Sequence, residues 1–221
     1  LNKSNMKTAR DLRSQSDHST FRASMSRRSA PVADRHANQL RIIGGRWRGR
    51  RLSFASVPGL RPTPDRVRET LFNWLGQDLS GARTLDLFAG SGALTFEALS
   101  RGAALGVAVD HHAAVARRLT ANGEALGATG LETHCADAAG FLARETRSFD
   151  VVFLDPPFGN ADWDTLIPAV AARLARAGMV YVEAPARVAA PQGGGLEVWR
   201  SDRAGRVHYH LLRRADDAQA A

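Results

Sequence analysis

From Gly81 onward the chain alternates short apolar runs with longer stretches of helical spacing, and few folds accommodate that order. Strands are predicted at Thr84–Phe88, Leu105–Val109, Leu131–Cys135, Asp150–Leu154 and Gly178–Glu183. Helices are predicted between them at Ala93–Arg101, Ala113–Leu126, Ala138–Arg144 and Trp163–Ala175. Leu196–Trp199 and Val207–Leu212 follow with no helix between them and are expected to pair antiparallel. The expectation is an α/β fold with a doubly wound, mainly parallel, seven-stranded Rossmann-like sheet. Such sheets bind ligands beyond the carboxyl ends of their strands, where the strand order reverses.

Four segments are expected. Residues 1–38 hold Ser, Arg, Asn and Gln with few apolar side chains, and read as a disordered basic extension. Its Arg- and Ser-rich first part is compatible with a mitochondrial presequence, but no amphipathic pattern stands out, which favours plain disorder. Leu1 is an unusual first residue, and Met25 is the expected alternative start. Residues 39–62 read as a β-hairpin arm, with short strands on either side of Gly44-Gly45. Residues 63–214 form the main domain, and 215–221 a tail. Thr63 is expected to cap a helix that opens with Pro64 and Asp65, buries Val67, Leu71, Trp74 and Leu75 on one face, and ends near Gly76.

No apolar run reaches the ~20 residues of a membrane-spanning helix, and no secretory signal is evident, so a cytoplasmic protein is expected. Cys135 is the single cysteine, which rules out an internal disulfide and a Cys-based zinc site. It is expected to be an inert buried residue of its strand. Charge is unevenly placed. Up to Arg68 the chain carries 16 of its 30 Lys+Arg and 4 of its 22 Asp+Glu, a net +12 against −4 for the rest. A basic front end on a mildly acidic body points to phosphate contacts, with a solubilising Arg-rich tail as the alternative.

Four acid-bearing strand ends carry the chemistry. In Asp86-Leu87-Phe88-Ala89-Gly90-Ser91-Gly92, the glycines let the backbone turn sharply and approach a ligand as a helix begins. A nucleotide dehydrogenase would share a Gly-x-Gly, but Thr95 stands where its third glycine belongs, and Asp86 would repel a pyrophosphate. An acid there suits a ligand with an ammonium and a sulfonium; the structural alternative is a tight turn with Asp86 facing the helix. Asp110, about 20 residues past the glycines, is placed to accept ribose hydroxyls or to cap the next helix. Asp137 is placed to meet an adenine amine or, equally, to cap.

The most specific motif is Val151-Val152-Phe153-Leu154-Asp155-Pro156-Pro157-Phe158. The prolines stiffen the turn and leave carbonyl oxygens free to accept hydrogen bonds. An exocyclic base amine is a poor nucleophile because its lone pair is delocalised into the ring. The Asp155 carboxylate and Pro156 carbonyl are suited to accept its hydrogens, aim the lone pair and stabilise the developing charge, while Phe158 offers a stacking face.

Asp155–Phe158 resembles motif IV of class I amino-methyltransferases, and Asp86–Gly92 their motif I. More narrowly, Arg41–Arg50, Gly59–Trp74 and Leu85–Leu94 closely resemble the RsmD family of bacterial 16S rRNA guanine-N2 methyltransferases, a likeness running from about Leu40 to Arg214. The resemblance implies a class I methyltransferase fold, S-adenosylmethionine as donor without a metal, and a guanine of 16S rRNA in the 30S subunit or its assembly intermediate as target. By position it implies that Asp86, Gly90 and Gly92 line the cofactor, Asp110 the ribose, Asp137 the adenine, and Asp155 and Phe158 the target base. Phe88 and Ser91 in the loop, and Ala138 beside Asp137, complete the expected cofactor set. Arg46, Trp47, Arg48, Arg50 and Arg51 are expected to contact RNA through guanidinium and indole groups, the alternative being a charged, solvated hairpin edge. Arg61, Thr63, Arg66 and Arg68 are expected to close over cofactor or nucleotide on the strength of the resemblance.

His111-His112 and His208-x-His210 lack accompanying ligands at metal spacing and are read as surface or core histidines. Three rivals remain at this level. A DNA adenine-N6 or cytosine-N4 methyltransferase shares the tetrad but usually carries a larger target-recognition segment. A protein-glutamine methyltransferase usually has Asn where Asp155 stands. A non-catalytic RNA-binding assembly factor would not need the intact glycine loop and tetrad.

Overall fold

The structure is a computed structural model describing residues 38–157, 162–188 and 194–216. The expected basic extension, Phe158 and most of the tail therefore lie outside the described residues. Seven strands form one sheet in the order β5-β4-β3-β6-β7-β9-β8. They are β3 (Arg83–Asp86), β4 (Leu105–Asp110), β5 (Leu131–Cys135), β6 (Phe149–Leu154), β7 (Leu174–Ala184), β8 (Leu196–Ala204) and β9 (Val207–Arg214). β3 to β7 run parallel, and β9 is antiparallel to both β7 and β8. The chain builds outward from β3 to β5 and then returns to place β6 on the other side of β3. The switch point thus falls between β3 and β6, the two strands that end in Asp86 and lead into Asp155.

Alternation along the strands divides the core. Val151, Phe153 and Tyr181 pack with helices α1 (Asp65–Leu75), α2 (Ala93–Ser100) and α3 (Ala113–Leu126). Val152, Leu154, Val180 and Val182 pack on the opposite face with α4 (Ala138–Arg144) and α5 (Trp163–Ala171). α3, α4 and β5 have the boundaries predicted from periodicity. α5 stops four residues early because β7 begins at Leu174, pairing with Phe149 before the register shifts. β8 runs beyond Trp199 because its pairing with β9 resumes at Arg200 after a bulge and continues to Ala204.

The arm is smaller and better anchored than its sequence implies. Its strands β1 (Gln39–Arg41) and β2 (Arg51–Ser53) are three residues each, and a 3-10 turn at Gly45–Trp47 occupies the Arg-rich stretch between them. Leu40, Ile42, Trp47, Leu52 and Phe54 are buried against the α1–α3 face. Thr63 does not cap α1: Pro64 takes the cap position without a side-chain bond, while the buried Thr63 offers its carbonyl to Arg68 Nε at 3.1 Å.

One buried carboxylate ties these parts together. Glu97, in the middle of α2 and fully buried, accepts from the Ile43 N–H at 2.9 Å, Arg68 Nη1 at 3.2 Å and Arg101 Nε at 2.9 Å. Arg68, itself buried, also donates to the Arg41 carbonyl at 2.9 Å and to Asp65. The arm, α1 and α2 are therefore cross-linked through a single side chain. Removing it strands two buried guanidinium groups, so Glu97→Ala should lower unfolding stability by about 3–5 kcal/mol in urea titration. An effect below ~1 kcal/mol would show that Glu97 does not carry the junction.

Candidate active site

The glycine loop hangs between β3 and β4. Ala89 N–H donates to the Val109 carbonyl at 2.9 Å, and Gly90 N–H donates to Asp110 Oδ2 at 3.0 Å. Gly92 has φ +79°, and a Cβ there would lie 2.5 Å from Leu119 and 2.6 Å from Phe96, so its α2–α3 contact tolerates no side chain. Gly90 has φ +49° and nothing nearer than 3.7 Å to a Cβ, its neighbours being the Phe88 carbonyl and Leu60. The backbone is thus open where a ligand would approach. Ser91 is buried and Phe88 half-buried within this turn.

Beside the loop, acids accumulate on one face of the sheet. Asp86 pairs with Phe153 across β3 and β6, and Phe153 with Tyr181 across β6 and β7. One step further along the same face come Asp155 and Glu183, just beyond the Leu154–Val182 pair. Asp86 is 2% exposed and accepts from Thr95 Oγ1 at 2.9 Å, the helix-facing arrangement weighed from the sequence. Burial pushes its carboxyl up to about 7, with a further push from Asp110. Burial, then Glu183 and Asp86, hold the Asp155 carboxyl well above the usual range. Burial likewise raises Glu183, against a 2.7 Å hydrogen bond donated by Tyr181 Oη. Asp155 is only partly exposed, and Pro156 is buried behind it. Among the described residues, no hydrogen bond engages the Asp155 carboxylate.

The other expected cofactor residues lie at the same strand ends. Asp110 ends β4 and caps nothing; its two oxygens accept from Gly90 and His112 N–H groups, the latter at 2.8 Å. It thereby fixes the glycine loop to the adjacent strand. Asp137 is exposed and does cap α4, accepting from Gly140 N–H at 2.7 Å, with Ala138 buried next to it. Donor-group chemistry fits a cationic ligand: acids line this edge and no described side chain neutralises Asp86 or Asp155. Asp110, His111 and His112 also cluster within 4.8 Å, although sequence spacing gave the histidines no acidic companion. The two histidines directly follow Asp110 in the chain, and both its oxygens already accept backbone N–H groups.

The basic residues divide by position. Arg46, Arg48, Arg50 and Arg51 are exposed, but the arm's tip docks at the end of α2 remote from the glycine loop. There Trp47 N–H donates to Ser100 Oγ at 2.9 Å, and Ser100 Oγ donates to the Gly44 carbonyl at 2.6 Å. Eight residues of helix set that tip roughly 12 Å from Gly92. Trp47 is 8% exposed with Arg46 over its ring, so its indole is a core residue rather than an open stacking face. Arg61 and Arg66 are exposed beside Leu60 and the first turn of α1, close to the loop. Cys135 is exposed at the end of an edge strand, contrary to its expected burial, since β5 has a neighbour on one side only. His210 is fully buried, its Nε2 accepting from Val188 N–H at 3.2 Å.

Sequence reasoning missed Glu183, Arg203 and Arg206. Glu183 sat at the end of a predicted strand, and the signal that could have found it is that acid on an otherwise apolar run. Arg203 and Arg206 flank the β8–β9 turn. Because His208 pairs with Ala184 and with Arg203, that turn stands at the same sheet edge as Asp155.

A parallel sheet with its switch point between a glycine loop and an Asp-Pro-Pro turn, rimmed by carboxylates, defines a class I methyltransferase. Comparisons with known proteins narrow this. A family profile described as "Conserved hypothetical protein 95" matches residues 40–213. "Ribosomal RNA small subunit methyltransferase D" of Escherichia coli (strain K12) is 41% identical over 181 residues, 80% of this chain and 91% of that protein. Its Haemophilus influenzae namesake is 45% identical over 124 residues, 54% of this chain and 64% of that one. The solved structure of yhhF from Escherichia coli superposes with a TM-score of 0.71 at 42% identity, covering 80% of this chain and 98% of that one. The chain belongs to the ribosomal RNA small subunit methyltransferase D family.

Asp86 keeps its proton to about pH 7 in the fold and has a reference value of 3.8. Folding thus takes up a proton between those values, and this group's contribution weakens the native state as pH rises through that window. Without ligand, Asp86→Asn should melt several degrees above wild type near pH 8 and alike near pH 4, read by circular dichroism. A lower melting temperature near pH 8 would contradict the assignment.

Proposed function

We propose that this chain transfers a methyl group from S-adenosylmethionine to the exocyclic N2 amine of a guanine in 16S rRNA, within the 30S subunit or an intermediate of its assembly. The observation that carries the reading is the Asp155 carboxylate, free of hydrogen bonds to described residues, at the switch point beside an open glycine turn. The name of the Escherichia coli relative supports the ribosomal substrate. That substrate places the activity in the cytoplasm. No described helix is long and apolar enough to cross a membrane.

Bound there, S-adenosylmethionine supplies an electrophilic methyl carbon on a cationic sulfur. Phe88, Gly90, Ser91 and Gly92 form its turn, Asp110 and Asp137 meet its nucleoside, and Ala138 borders the adenine. The buried Asp86 lies beneath the loop rather than in direct contact, and cationic charge above it draws off the proton that it keeps to about pH 7 in the free fold. Cationic charge at this edge also opposes the burial, and after it the repulsion from Glu183 and Asp86, that raise Asp155, favouring the ionised carboxylate that accepts a hydrogen of the amine. The Pro156 carbonyl accepts the other, which turns the nitrogen lone pair outward and stabilises the positive charge that grows on it. Phe158 follows in sequence as the stacking face, as the family resemblance implies. Asp155→Ala should abolish turnover, by about 10³-fold or more, yet leave cofactor affinity within a few-fold by calorimetry. Equal loss of both would place Asp155 in the cofactor site instead.

RNA approaches along the carboxyl edge, between Arg61 and Arg66 on one side and the β8–β9 turn on the other. Arg66 acts electrostatically on Asp202, so the hairpin and the first turn of α1 form one rim. The more distant Arg46, Arg48, Arg50 and Arg51 meet phosphates further out. Reversing Arg203 and Arg206 to Glu together should raise KM for 30S particles at least about tenfold and flatten its salt dependence. An unchanged salt slope would remove the hairpin from the RNA path.

A further inference from the structure

The geometry points to Glu183 as the residue that selects guanine, by accepting the N1–H beside the amine that Asp155 accepts. This rests on the guanine-N2 reading above and extends it to a side chain that reading does not use.

Glu183 stands next to Asp155 on the adjoining parallel strand, one residue past the Leu154–Val182 pair. Neighbouring strands lie about 4.8 Å apart, a gap across which two side chains can converge on adjacent groups of one base edge. Its strand alternation places it on the same face as Asp155, since Tyr181 and Phe153 precede them on the α1–α2 side. It is 5% exposed, and Tyr181 Oη tethers one oxygen at 2.7 Å. The second oxygen has no partner among the described hydrogen bonds. An acid paired with a tyrosine alone, with no described cation beside it, is costly to bury for stability's sake.

Two adjacent acceptors suit one base edge in particular. Guanine presents N1–H and N2–H₂ side by side, all donors. Adenine presents its N6 amine beside an N1 lone pair, and cytosine its N4 amine beside an N3 lone pair. Either would set a lone pair against the Glu183 carboxylate. The pair of acids therefore favours guanine and rejects the bases of the DNA-type reaction. Drawing on N1–H also pushes electron density into the ring toward N2, so Glu183 assists the attack as well as the choice of base.

The test uses 30S particles reconstituted with ligated 16S rRNA carrying guanine, 2-aminopurine or hypoxanthine at the position that wild type methylates. 2-Aminopurine keeps the N2 amine but replaces N1–H with a lone pair; hypoxanthine lacks the amine. Wild type should prefer guanine over 2-aminopurine by about 100-fold in kcat/KM, and leave hypoxanthine unmodified. Glu183→Gln keeps size, accepts from N1–H and donates to a bare N1. It should lose about 10- to 100-fold on guanine while its guanine-to-2-aminopurine ratio shrinks at least about tenfold, with cofactor affinity unchanged. A merely structural role would slow both substrates alike. N2-methylguanosine formation with an unaltered ratio overturns the assignment of Glu183 alone. A wild-type product other than N2-methylguanosine overturns the parent reading and this one with it.

Discussion

The rest of the molecule depends on Glu97. A carboxylate in the middle of a fully buried helix is tolerable only when charged and polar donors surround it, and here those donors come from three parts of the chain. Ile43 brings the arm, Arg68 brings α1, and Arg101 closes the end of α2. Since Gly92 is the cap from which α2 begins, the same contact sets where the glycine turn lies relative to α1. The segment before α1 then brings Leu60 alongside Gly90. A front end that reads in sequence as a detachable arm is thereby made part of the wall beside the site.

A second constraint is electrostatic. Parallel strands deliver their carboxyl ends to one edge, and this chain places acids at the ends of β3, β4, β6 and β7. With so little water around them, Asp86, Asp155 and Glu183 are each held above the usual carboxylate range. That arrangement costs stability in the free protein and is offset by a cationic ligand. The same buried acids that make the edge unfavourable alone are the groups by which, in the proposed reaction, it receives a sulfonium, an ammonium and the donors of a purine.

The basic surface follows a different logic. Of the exposed arginines, those at the far tip of the arm lie away from the acids, while Arg61, Arg66 and the β8–β9 turn stand at the acids' own edge of the sheet. A large folded RNA can touch both, so the strongly positive front end and the catalytic edge need not coincide.

Sequence by itself determined the alternation of strands and helices, the glycine turn and the Asp-Pro-Pro corner. Each of those is a local property: side-chain periodicity, positive φ and proline stereochemistry act over a few residues. α3, α4 and β5 were legible to the residue for that reason. Tertiary structure alone decided that Trp47 is a core side chain rather than a stacking face, and that Cys135 is exposed. It likewise decided that Asp110 braces the glycine loop and that Glu183 stands beside Asp155. Those outcomes depend on which strands become neighbours and in what register, and backbone hydrogen bonding between distant segments sets that register.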